Sequence, residues 1–187
     1  MARLTRIAPA ALAVVALVAA CDKPKTRPAK PPEVANSGLP AGAPASAVAG
    51  ARSSQEPLPA PPAWAAGYIG KPLTELFPDQ NGQCVGNTDD VNLYYRGAAQ
   101  GLRVEGWGWA PAAKAPVGRV LLVDEAGKIV GAGESGKARP DVTAARKDIT
   151  APDTGWQAVT PKSSGGVYAF GVMPDGKQVC RLGHLAL

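Results

Sequence analysis

A mainly β fold is predicted by three features: alternation from Leu102 to Trp109, the apolar run Val120-Leu121-Leu122-Val123, and short strand-like segments separated by Gly- and Pro-bearing turns. Turn signals recurring roughly every 8–12 residues are the pattern of a sandwich or barrel. The expected domain is therefore a compact β-sandwich or barrel-like unit over residues 63–187, with about seven or eight short strands and one or two short helical turns. Ahead of it the sequence reads as a signal peptide (1–20) and a lipidated N-terminus with a disordered linker (21–62).

Within the domain, Pro72 followed by Leu73, Leu76 and Phe77 suggests a short helical turn, since proline is welcome at the first helical position. Pro78 to Gly82 marks a turn, and Gln83 to Asp90 reads as too polar and glycine-broken for a long strand. Val91 to Tyr95 is expected as a short strand. From Leu102 the period is two, so Leu102, Val104, Gly106 and Gly108 point one way and Arg103, Glu105, Trp107 and Trp109 the other. Val120 to Val123 is apolar on both faces and is expected as a central strand, joined through Glu125-Ala126-Gly127 to a hairpin partner over Lys128 to Ala132. Thr143 to Lys147 can hold a turn or two of helix with Asp141 near its start. Strands are then expected at Gly155–Val159, Gly166–Met173 and Gln178–Leu182, the last two joined by Met173-Pro174-Asp175-Gly176-Lys177, where Pro fixes φ and Gly accepts φ > 0.

The N-terminus carries Arg3 and Arg6 and then an unbroken apolar run from Ala10 to Ala20. That run is well short of the roughly 20 residues a membrane-spanning helix needs, so it reads as a secretory h-region. Val18-Ala19-Ala20-Cys21 resembles the lipobox of bacterial lipoproteins. The resemblance implies cleavage before Cys21, a diacylglyceryl on its thiol and acylation of the new amine; ordinary cleavage after Ala20, leaving a free thiol, is the alternative. Asp22 follows the cysteine as in lipoproteins retained at the inner membrane, which implies a domain in the periplasm anchored there. With Cys21 lipidated, Cys84 and Cys180 remain as a pair in an oxidising compartment, where disulfides persist.

The linker holds ten Pro and nine Ala between Asp22 and Pro62 and no aromatic residue, so it cannot bury enough apolar surface to offset the entropy of ordering. Its expected role is reach from the membrane. The formal charge of +5 does not signal nucleic acid, because residues 63–187 carry 13 basic against 12 acidic side chains. The basic cluster Lys23 to Lys30 would lie beside the lipid, against anionic headgroups or simply in solvent.

Gly106-Trp107-Gly108-Trp109-Ala110, then Leu122-Val123-Asp124, Arg139-Pro140-Asp141-Val142 and Thr154-Gly155-Trp156, resemble a periplasmic β-domain appended to bacterial membrane proteins of surface-polysaccharide assembly. Cys84-Val85-Gly86 and the closing Cys180 are similar as well. The resemblance implies an envelope setting near glycans and no catalytic signature.

No catalytic set can be assembled around one histidine, His184, and no cofactor is expected; zinc would want four Cys/His ligands, or three and a water. The carboxylate pairs Asp89-Asp90 and Asp124-Glu125 fall where turns are expected. Candidate binding residues are Trp107 and Trp109, which either fill the interior or present rings to a ligand, and Arg139 with Asp141, which either hold a loop or face a ligand. The expected function is a lipid-anchored, non-enzymatic envelope domain that binds a glycan or a protein partner. A structural accessory of a membrane complex, and an enzyme of unrecognised class, are the alternatives.

Overall fold

The computed structural model describes residues 52–187. The signal peptide, Cys21, Asp22 and the Lys23–Lys30 cluster lie outside the described residues.

The domain is mainly β. Its strands are β1 (Arg52–Ser54), β2 (Val85–Tyr95), β3 (Gly101–Ala110), β4 (Ala115–Pro116), β5 (Arg119–Asp124), β6 (Ile129–Lys137), β7 (Gly155–Thr160), β8 (Gly166–Val172) and β9 (Val179–Ala186), with helices α1 (Leu73–Leu76) and α2 (Pro140–Ala145). Nine strands form one sheet in the order β1-β2-β3-β7-β6-β5-β8-β9, with β4 beside β3. The path curls until β9 lies against β2. At Gly183 a Cβ would sit 2.9 Å from the Thr88 backbone nitrogen, and Cys84 is disulfide-bonded to Cys180 with Cα atoms 5.9 Å apart. The result is barrel-like, its last seam held by close packing and a covalent bond.

β5 behaves as its sequence predicts. Val120 and Leu122 enter the interior cluster with Val104, Trp156, Ala158 and Leu182, while Leu121 and Val123 join Ile129, Leu73 and Phe77 outside the wall. The chain from Trp64 to Phe77 covers that outer patch, and β5 sits between β6 and β8. Asp124 makes the β5–β6 turn: its carboxylate accepts hydrogen bonds from the Ala126 and Lys128 amides, both 3.0 Å, and Gly127 takes φ +78°. The Pro174-Asp175-Gly176 turn likewise places Gly176 at φ +72°.

In β3 the inward residues include Gly106 and Gly108. Trp156, registered against Gly106, occupies the space a side chain there would need, its ring Cε2 lying 2.7 Å from where a Cβ would be. The glycines between the tryptophans therefore make room for a third tryptophan from β7.

Three expectations are corrected. Gln83 to Asp90 does enter a long strand: β2 begins at Val85 and absorbs the polar stretch with a register shift between Thr88 and Val91, so Asp89-Asp90 lie in an irregular strand, not a turn. Pairing with β3 outweighs poor strand propensity there. The ordered domain also starts before residue 63. β1 pairs in parallel with Leu93–Tyr95, and the Leu58 amide donates to the Ala99 carbonyl at 2.8 Å, so residues 52–62 of the expected linker lie along the barrel. Thr143 to Lys147 is only partly helical, since α2 spans Pro140–Ala145.

Candidate functional site

The outer wall of the barrel is covered in three places, one of them by Leu58 and the residues after it, beside Gly101 and Val159. The Trp64–Phe77 segment covers β5 and β6, and α2 with the chain after it covers the end of β3, where Trp109, Val142 and Ile149 form a separate buried cluster. Between these covers the outer face of β3, β7 and β6 is laid out in register as three rows. Arg103, Val159 and Ala132 make the first, Glu105, Gln157 and Glu134 the second, and Trp107, Gly155 and Lys137 the third; Val159, Ala132 and Gly155 are buried, so the middle row is the open one. Alternation explains why these residues share a face, since their neighbours Val104, Trp156 and Ala158 point into the core.

The middle row carries the chemistry. Glu105 is held on both oxygens: Asn92 Nδ2 donates at 2.6 Å, and Arg103 Nε lies 3.3 Å away as an ion pair without hydrogen-bond geometry. Gln157 is half-buried and Glu134 exposed. On one side Gln157, Glu134 and Lys137 line a depression of about 370 Å³ walled by Pro59, Ala60 and Pro62. On the other, Glu105, Asn92, Asp90 and Arg139 line one of about 380 Å³. Gln157 of the first and Glu105 of the second are registered partners on neighbouring strands.

Arg139 and Asp141 form a clasp. Arg139 donates from Nη1 to Asp89 at 2.6 Å, from Nη2 to Asp141 Oδ2 at 2.8 Å and from Nε to Asp141 Oδ1 at 2.9 Å. Asn87 in turn donates to Asp89 at 2.9 Å. The clasp ties the start of α2 to β2, and its stem crosses Gly155, where a Cβ would come within 2.8 Å of Arg139 Cγ. The hydrogen bond from Arg139 holds the Asp141 carboxyl below the usual carboxylate range, and the same bond to Asp141 raises the Arg139 guanidinium further. The guanidinium thus joins β2 to the start of α2, beside the depression that it also lines.

The two alternatives weighed for the tryptophans divide between the residues. Trp109 is 2 % exposed beneath Val142 and Ile149, and so does not offer a ring to a ligand. Trp107 is half-buried at the edge of that cluster, where the cover ends and the open face begins. The reason is α2, which closes over one end of β3 and not the other. His184 is exposed on β9 and stacks on Tyr168 at 4.5 Å between ring centroids, with Arg181 on Tyr168 at 4.3 Å.

Gln157 and Glu134 escaped the sequence reading. Glu105 was visible on the outward side of an alternating strand, but its neighbours arrive from β7 and β6, about 50 and 30 residues later, through non-sequential pairings. Among the described residues no group of three His, Cys, Asp or Glu is placed to hold a metal ion, and no helix is long and apolar enough to cross a membrane. No family model, curated protein or solved structure matches the chain.

Proposed function

We propose that this chain is a lipid-anchored, non-enzymatic domain of a bacterial cell envelope, held at the periplasmic face of the inner membrane, that binds a glycan or an envelope protein. The observation that carries the binding role is the open polar row Glu105, Gln157 and Glu134 across β3, β7 and β6, left between the covered regions. Elsewhere the same wall buries its apolar side chains under added chain segments. The anchor rests on Cys21 and its lipobox, with Asp22 favouring the inner membrane, and the exported setting accords with a disulfide in the domain. The non-enzymatic reading rests on the single histidine of the sequence and on the disulfide that occupies both domain cysteines.

Two measurements test this. A photo-activatable residue at position 157 of the full chain, irradiated in the producing cells, should yield an envelope adduct; the same residue at exposed Asp175, on the β8–β9 turn, should not. Equal or absent adducts at both positions overturn the binding role. Intact mass of the membrane-purified chain should carry a diacylglyceryl group on Cys21, and an unmodified cysteine overturns the anchor.

A further inference from the structure

We infer that the occupant of the open face is a neutral, hydroxyl-rich glycan, a narrowing that rests on the binding role proposed above. The groups left free on the face decide its chemistry. Its two arginines sit beside carboxylates, Arg139 hydrogen-bonded to Asp89 and Asp141 and Arg103 3.3 Å from Glu105 as an ion pair. What is presented outward is the Gln157 amide, the Glu134 carboxylate, the Asp90 carboxylate and one ammonium, Lys137. This set is rich in acceptors and carries more negative than positive free charge, so it repels a polyanion and accepts hydrogen bonds from hydroxyl groups. The amide can both donate and accept, as adjacent sugar hydroxyls require.

A protein partner fits less well. The buried centre of a protein interface is depleted in charge and rich in aromatic and apolar side chains. Among the described residues the exposed large hydrophobics are Ile69 and Tyr94, and neither lines the depressions beside Glu105 and Gln157. The two depressions, about 370 and 380 Å³, are each within the usual range of small-ligand sites and lie side by side across the strands. That arrangement suits an extended chain of rings better than a single compact ligand.

The test is calorimetric titration of the full chain in detergent with cellohexaose, maltohexaose, chitohexaose and, as the anionic control, hexagalacturonate. At least one neutral hexamer should bind saturably, the doubly substituted chain Gln157→Ala/Glu134→Ala should bind it at least tenfold more weakly while retaining its thermal midpoint, and hexagalacturonate should not bind. Failure of all three neutral hexamers, or affinity unchanged by the double substitution, overturns the inference. Hexagalacturonate binding that the substitutions abolish also overturns it, while leaving the binding face intact. Absence of glycan binding together with a protein adduct at position 157 separates the two ideas in the same way.

Discussion

β5 and β3 stand in the same barrel wall, and both send apolar side chains inward, yet their outer faces meet opposite fates. On β5, Leu121 and Val123 lie under Leu73 and Phe77, so the strand is buried on both sides. On β3 Trp109 is roofed by Val142 and Ile149 and Gly101 lies under Leu58, while Arg103, Glu105 and Trp107 between them stay partly open. A wall surface that is apolar recruits a cover; one that carries charged and amide groups does not need one, because such groups are stable facing water. The face left uncovered is therefore the one with chemistry to offer.

The sharpest way to break this contrast is to remove what the α2 cover protects. Trp109→Ala should cost about 3–5 kcal/mol in denaturant unfolding, the range for large aromatic truncations in a core. Trp107→Ala should cost markedly less, and equal losses would erase the distinction between the roofed and open ends of β3. Next in size is the β2/β9 seam. Replacing both Cys84 and Cys180 by Ala should lower stability by about 2–5 kcal/mol, as for native disulfides in small exported domains, and leave the outer face of β5 protected from hydrogen exchange. Loss of protection throughout would mean that the seam governs the whole barrel.

Arg139→Ala should cost about 1 kcal/mol or less, since the ion pairs are partly exposed and screened, but it should raise the accessibility of Trp109 to a fluorescence quencher. Unchanged quenching would show that the clasp does not hold the cover. Its pH dependence follows from the depressed Asp141 carboxyl. Because the folded value lies below the unfolded one near 4, the stabilisation is present above that pH and is lost as pH falls through the folded value. Asp141→Asn should therefore flatten the acid limb of a thermal-midpoint profile and leave its slope near neutrality unchanged. The smallest effect is expected at the open face, where Gln157→Ala should change stability by no more than about 0.5 kcal/mol, measured by thermal denaturation. A larger loss would make Gln157 part of the framework.

Much of the fold was legible in the residues because local rules and burial agree there. The double-sided apolar run at Val120–Val123 became the central strand, Asp124 and Gly127 made the turn, and Pro174-Asp175-Gly176 made the next. Legibility failed where pairing overrode propensity. β2 takes in Thr88-Asp89-Asp90 because β3 supplies a ladder, and β1 forms only because β2 offers an edge. The candidate site lay half in view: alternation put Glu105 and Trp107 on one side of β3 with Trp109, and nothing local distinguishes the two tryptophans.

By itself the sequence determined which residues alternate, where the chain turns and which strand is apolar on both faces, since each depends on neighbours within a few positions. Only the tertiary structure decided that Gln157 and Glu134 stand beside Glu105, that Gly106 makes room for Trp156, and that α2 roofs Trp109 while leaving Trp107 at the edge. Those facts depend on which distant strands pair and where an added segment lands, and strand order is set by the packing of the whole barrel rather than by any one stretch of it.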